Sequence, residues 1–299
     1  MATLYTLRSR NVARTWGLMA VFLVLVVAIG WAASYYYDST AILYVALAFA
    51  LVTNVFAYWK SDTIALASAR AHPVSFEQDP ELHRIVENLA ITAGLPKPRI
   101  YMIDDPSPNA FATGRDAKHA AIAVTRGLRA MLAKSELEGV IAHELSHIGN
   151  RDILVMTMAV VLVGFIAILA DIALRVSFLG GGGRERQNGN PVLLVFAILA
   201  IILAPIAAQL IQLAISRRRE FLADASGALL TRYPEGLESA LAKIGSYQAP
   251  MRHANAAIAH LFIANPFGAH PRGRFIQRLF STHPPIEERI KALQGLELH

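Results

Sequence analysis

The chain has 299 residues, of which 55% are hydrophobic and 17% charged, with a mean hydropathy of +0.41. This composition is too apolar for an ordinary soluble protein and too charged for a bundle that lies wholly within a membrane. The absence of cysteine excludes a disulfide framework and cysteine metal ligands. The net charge of +6 is first a signal of membrane topology, and no nucleic-acid-binding motif accompanies it, so nucleic acid is not expected as a partner.

The N-terminal segment, residues 1–60, predicts a transmembrane hairpin. Three arginines within the first fourteen residues precede an unbroken apolar run at 16–33, and a second run covers 41–59. Each run is long enough to cross a bilayer, and the tyrosines at 35–37 between them are typical of an aromatic belt. A cleaved signal peptide is the alternative, but the first run is longer than a signal core and a second span follows at once. Basic residues on both sides, including Lys60, predict that both ends of the hairpin are cytoplasmic.

Residues 61–152 have the character of a water-exposed domain. The pair Asp79-Pro80 predicts the start of a helix, because aspartate caps the first turn and proline suits the first helical position. Short apolar segments at 99–103 and 120–125 predict strands, and the segment Asn109–Gly114 between them can also be extended. A small sheet is therefore expected just before the helix that carries the chemistry.

The segment Ser135–Asn150 predicts one helix with the motif His-Glu-x-x-His. Its first residue and Glu138 fit a capping box. His143 and His147 are about one turn apart, so both imidazoles leave the same face and can share a zinc ion, while Glu144 beside them suits a general base. A packed histidine pair with a solvated carboxylate produces the same pattern, so the motif needs a third ligand to become specific.

Two further apolar runs, 153–178 and 192–215, predict a second hydrophobic hairpin over residues 153–215. The arginines at 217–219 then return the chain to its positive side. Because two spans bring a chain back to the face that it left, the segment after these arginines can meet His147.

The pattern as a whole predicts a mainly α-helical membrane protein. Four hydrophobic helices are expected to accompany a cytoplasmic α+β, zincin-like catalytic domain with a small sheet. That domain has two parts, residues 61–152 with the motif helix and residues 216–299 with the third ligand.

The third ligand is expected from a carboxylate that follows the second hairpin. A third histidine six positions after the second is excluded, because Ile153 occupies that place. Asp171 lies within an apolar run, at the wrong depth. Glu220 is the first carboxylate after the hairpin, and Asp224 follows one turn later on the same face, where it can accept an N–H from a ligand imidazole. A surface helix stabilised by pairs with the arginines at 217–219 is the alternative.

Two further places are candidates for contact with substrate or for stabilising an oxyanion. The segment that begins at Asn109 is a candidate edge strand, and an ordinary loop is the alternative. Its small residues, which would allow a peptide to approach closely, are Ala110, Ala112 and Gly114. His283 and Arg289 are candidate oxyanion residues, with a solvent-facing helix start as the alternative.

Five separated motifs together carry a resemblance: NAFATG, HELSH, the long hydrophobic hairpin, SRRREFLADASG and STHPPIEERI. With them the chain resembles bacterial membrane zinc proteases related to the CAAX prenyl protease family. The resemblance implies that His143, His147 and Glu220 bind one Zn²⁺ and that Glu144 is catalytic. It also implies a multi-pass protein of the inner membrane that cleaves unfolded or damaged membrane proteins at the cytoplasmic face.

Other functions remain open at this stage. A non-catalytic membrane scaffold would use zinc only structurally, and a protease for prenylated peptides would share the same motif. A transporter is disfavoured because charges within the apolar runs are essentially limited to Asp171 and Arg175.

Overall fold

The computed structural model describes residues 4–162, 164–165, 217–253, 258–268 and 284–296. The predicted run at 192–215, the part of 153–178 beyond residue 165, and His283 lie outside the described residues. Helices within these ranges are α1 (Leu4–Tyr36), α2 (Thr40–Ser68), α3 (Pro80–Thr92), α4 (Arg126–Met131), α5 (Lys134–Gly149), α6 (Asp152–Leu162), α7 (Arg217–Thr231), α8 (Pro234–Ser246) and α9 (Ile286–Gln294). Strands are β1 (His72–Pro73), β2 (Arg99–Ile103), β3 (Ala110–Thr113) and β4 (Ala121–Thr125).

The first two helices form an antiparallel hairpin that is long and apolar enough to cross a membrane. The candidate spans are Ser9–Tyr36 and Thr40–Ser68, so both helices extend beyond the predicted apolar runs. α2 continues through the residues predicted to begin the water-exposed domain, because Asp62 on its buried side is bound by Arg99 of β2 at 2.6 Å. The end of this helix is therefore fixed by packing on the sheet and not by hydropathy.

A third apolar helix follows the motif helix after a sharp bend. α5 and α6 are inclined at 82° to each other, and they count as one candidate span only if the bent pair is taken together. α6 buries one face against the hairpin, where Val155, Ala159 and Leu162 pack on Phe22 and Val26. Within the described residues there are thus two candidate spans, or three with the bent pair, and the prediction of four hydrophobic helices is not confirmed.

The sheet is small and mixed, with the strand order β1-β2-β4-β3. β4 is parallel to β2 and antiparallel to β3, so β3 lies at an edge. One face packs on α5 through Ala110 and Ala112, and the other packs against the end of α2 through Phe111. The sheet therefore lies between the motif helix and the membrane hairpin, and its edge strand runs beside α5.

The helix starts show where local sequence rules held and where they did not. Asp79 caps α3 by accepting the amide N–H of Leu82 at 3.0 Å, as predicted. The capping box predicted from Ser135 and Glu138 is wrong, because the N-cap of α5 is Ala133, two residues before Ser135. The carboxylate of Glu136 accepts the N–H of Ala133 at 2.7 Å.

Candidate active site

Two helices bring three possible metal ligands together. His143 and His147 lie on α5, Glu220 lies on α7, and one ligand atom from each lies within 4.8 Å of the others. The two Nε2 atoms are 3.2 Å apart, and they lie 3.8 Å and 3.6 Å from the nearer oxygens of Glu220. All three side chains are buried, so the carboxylate that follows the second hairpin lies beside both imidazoles in the interior of the protein.

A glycine allows α7 to approach the motif helix this closely. A Cβ atom on Gly227 would lie 3.0 Å from the backbone nitrogen of His143 and 3.2 Å from its Cα, distances that side chains rarely tolerate. Because Gly227 is buried on the face that also presents Glu220 and Asp224, the short helix separation brings both carboxylates against the histidines.

Each imidazole is oriented by a second carboxylate. His143 Nδ1 lies 2.9 Å from Asp224 Oδ1, and His147 Nδ1 lies 3.1 Å from Asp152 Oδ2. A metal-bound histidine usually donates its other ring N–H to such a partner, which fixes the tautomer and the direction of the ring. Both rings therefore direct Nε2 towards a common point next to Glu220. Two imidazole nitrogens and one carboxylate oxygen form the donor set of catalytic zinc sites, so these residues fit a metal ion.

The charges of the site also favour a cation. Burial alone would lower the pKa of His147, but the carboxylates of Asp152 and Glu220 outweigh it and raise the pKa to about 9. Burial would raise the pKa of Asp224, yet the Arg289 guanidinium lowers it to about 2. Asp224 is therefore ionised at neutral pH, and His147 carries a proton that a divalent ion would displace on binding.

Arg289 lies against His143, with Nη2 3.4 Å from Nδ1 and 3.5 Å from Nε2 of the ring. Its side chain is fully buried, and Nε and Nη2 donate to the two oxygens of Asp224 at 2.8 Å and 2.6 Å. Nη1 donates to the carbonyl oxygen of Ile263 at 3.2 Å. These contacts favour a part in holding Asp224 against His143 over direct contact with an oxyanion.

The segment predicted as a candidate substrate strand is β3, which is extended and lies at an edge of the sheet. The side-chain amide of Asn109 donates to the carbonyl oxygen of Ala264 and accepts the N–H of the same residue. The Ala110 carbonyl accepts the N–H of Ile263 at 3.0 Å. Because hydrogen-bonding directions alternate along an antiparallel strand, Ala112 also turns its N–H and C=O away from β4. Gly114 ends the strand with φ of 142°, a conformation that favours glycine.

Sequence reasoning missed Asp152 and the residue that holds it. Asp152 follows the second histidine by five positions and is buried at the start of α6, after a residue with positive φ, Arg151. An aspartate directly before an apolar helix was the available signal, but it is also the ordinary pattern of a membrane boundary. Its second partner, Asn11, comes from α1, 141 positions away, and no local pattern indicates that contact.

These features define a class of protein: a metallopeptidase with a His-Glu-x-x-His helix, a carboxylate ligand from a later helix, and an apolar hairpin packed beside the site. The chain belongs to peptidase family M48, whose family profile matches residues 77–297. The resemblance inferred from the motifs is thereby confirmed, and the protein is a membrane metalloprotease.

Similar proteins cover nearly the whole chain. It is 47% identical over 302 residues to the protease HtpX homolog of Caldanaerobacter subterraneus subsp. tengcongensis, with 99% of both chains covered. It is 50% identical over 288 residues to the protease HtpX homolog of Pyrococcus furiosus, with 95% of this chain and 96% of the relative covered. The crystal structure of Ste24p from S. mikatae shares the fold with a TM-score of 0.51 at 20% identity, over 96% of this chain and 64% of that longer one.

Proposed function

We propose that this protein is a zinc endopeptidase that cleaves misfolded or damaged membrane proteins at the cytoplasmic face of the bacterial inner membrane. The observation that carries the proposal is the buried cluster of His143, His147 and Glu220, with Glu144 on the same helix and the membrane hairpin packed alongside. The catalytic domain would consist of residues 61–152 and 216–299, with hairpins at 1–60 and 153–215.

The roles follow from the chemistry of the donor set. His143, His147 and Glu220 would hold zinc, which when bound supplies a Lewis acid for the scissile carbonyl and lowers the pKa of a water molecule. Glu144 would take the proton from that water and return it to the leaving amine. Asp224, held by Arg289, would keep His143 in the tautomer that leaves Nε2 free for the metal.

The substrate would bind as an extended strand beside β3. The outward N–H and C=O of Ala112 can pair with a peptide backbone, and the small side chains of Ala110 and Ala112 let it approach α5. Recognition of backbone in preference to side chains selects for an unfolded segment, because a folded protein has its own backbone groups paired. We therefore expect loose sequence preference and poor cleavage of folded domains.

The short distance between the site and the expected membrane boundary supports membrane proteins as substrates. Trp16 and Tyr36 are exposed on α1 and twenty positions apart, about 30 Å along a helix, which matches the hydrocarbon thickness of a bilayer. Asn11, which adjoins the site, lies only five positions, or about 8 Å, beyond Trp16. Just after β3, the Arg115 guanidinium lies 4.8 Å from the ring of Trp59, exposed on α2 near the same boundary. A chain segment just outside a transmembrane span would thus reach the edge strand.

Two substitutions test the proposal. Glu144→Gln should keep its zinc and lose cleavage of an unfolded protein such as casein by about 10²-fold to 10⁴-fold. Glu220→Ala should lose the metal itself, as measured by elemental analysis of the purified protein. Glu138→Gln, on the same helix but partly exposed, is the matched control and should change neither quantity. Persistent cleavage by the Glu144 variant, or unchanged metal content in the Glu220 variant, would defeat the proposed roles.

A further inference from the structure

The first membrane helix reaches the metal centre through one buried amide. Asn11 of α1 is 3% exposed, and its Nδ2 donates to Asp152 Oδ1 at 2.7 Å. The same nitrogen donates to the carbonyl oxygen of Asn150 at 3.0 Å. Asn11 therefore contacts both the carboxylate beside His147 and the bend that joins α5 to α6.

The hydrogen bond from Asn11 to Asp152 can orient the imidazole of His147, the proposed metal ligand. Oδ2 of Asp152 contacts His147 Nδ1, and Oδ1 accepts the hydrogen bond from Asn11. Because both oxygens are held, the orientation of the carboxylate plane is fixed. Arg219 lies 3.6 Å from the same Oδ1, next in sequence to Glu220. Without the amide, the carboxylate can rotate away from the imidazole, and the direction of Nε2 is less closely defined.

We propose that Asn11 is a positioning residue for the metal centre, so that the first membrane helix is part of the active site and not only an anchor. Asn11 acts through Asp152 on His147 and touches neither substrate nor metal. This inference rests on the proposed function in one respect, namely that His147 binds a metal ion.

The same hairpin supplies a matched control. Asn54 of α2 is also a buried asparagine, at 7% exposed, and its Nδ2 donates to a backbone carbonyl of α1, Met19, at 3.3 Å. Its replacement removes a buried amide from the helix pair without touching Asp152. A purely structural part for Asn11 therefore predicts that Asn11→Leu and Asn54→Leu behave alike.

The experiment compares zinc affinity in purified full-length protein by competition with a chelator. Asn11→Leu should bind zinc about 10-fold to 100-fold more weakly than the wild type, the range seen when partners of metal ligands are removed. Its cobalt-substituted form should show an altered visible absorption spectrum, because the ligand field changes. Asn54→Leu should match the wild type in both measurements, and melting of the metal-free proteins separates these effects from loss of folding.

Asn11→Asp provides a second test. It replaces the donor Nδ2 by an oxygen that faces Asp152 Oδ1 and the carbonyl oxygen of Asn150, and it should therefore weaken zinc binding. Equal affinity and spectra for the two leucine variants, or unchanged zinc affinity in Asn11→Asp, would overturn the inference. Failure of the wild type to bind zinc would instead defeat the proposed function and this inference with it.

Discussion

At the scale of single residues, Glu136 shows how the motif helix is held at its start. Its carboxylate is buried and accepts hydrogen bonds from Ser239 Oγ at 2.5 Å, from Lys243 Nζ at 2.7 Å and from the N–H of Ala133 at 2.7 Å. Burial would raise the pKa of Glu136, but Lys243 and the two neutral donors outweigh it and lower the pKa. One charged group thus joins the first turn of α5 to α8.

We predict that Glu136→Gln lowers the free energy of unfolding at pH 7 by about 1.5–3 kcal/mol, since it weakens charge-assisted hydrogen bonds. Because the pKa is depressed in the folded state, this stabilisation is complete above the unfolded value of about 4.5 and is lost as pH falls through the folded value. Thermal unfolding of the metal-free proteins should therefore show a difference that shrinks below pH 4.5. A difference that stays constant down to pH 3 would contradict the assignment, and Glu138→Gln serves as the control.

At the scale of helices and strands, the packing of α7 on α5 depends on Gly227. We predict that Gly227→Ala separates the two helices, costs about 1–3 kcal/mol through overpacking, and weakens zinc binding because Glu220 moves with α7. Chelator competition and thermal unfolding measure the two effects. Gly149→Ala is the control, because its Cβ would meet only the flexible end of Leu95 at 3.8 Å. Similar zinc affinity in both variants would show that the helix spacing does not set the site.

Elements with a strong local pattern were predictable. The strand at Arg99–Ile103 and the helix at Pro80–Thr92 follow from apolar spacing and capping residues alone. The end of α2 and the start of α5 were not predictable from local sequence. Arg99 binds Asp62 near the end of α2, and Lys243 binds Glu136 in the first turn of α5, both from distant positions in the chain. Tertiary contacts decide such boundaries whenever the local preference is weak.

The same distinction applies to the site. The sequence places two imidazoles one turn apart and leaves Glu220 as the first acid after the second hairpin, which is enough to predict the three residues that the structure brings together. Asp152 and Asn11 are joined across 141 positions, between helices whose polar residues also fit ordinary membrane boundaries. Periodicity carries no information on that pairing, so only the assembled fold reveals it.

At the scale of the whole molecule, the two membrane helices fix how the site faces the bilayer. They join at a tight turn near Ser39, and the sheet and α5 lie at the opposite end of the hairpin. The proposed cytoplasmic position of the catalytic domain therefore places the turn on the outer side. The chain contains no cysteine, so single cysteines can report the two sides without a background.

We predict that a membrane-impermeant maleimide labels Ser39→Cys in intact spheroplasts, because this residue lies at the turn of the hairpin. Ser75→Cys, equally conservative and exposed between β1 and α3, should be labelled only after the membrane is permeabilised. Val24→Cys, exposed at mid-height on α1, should stay unreactive in both states because lipid covers it and thiolate forms poorly there. Labelling of Ser75→Cys in intact spheroplasts would reverse the orientation, and rapid labelling of Val24→Cys would remove α1 from the membrane.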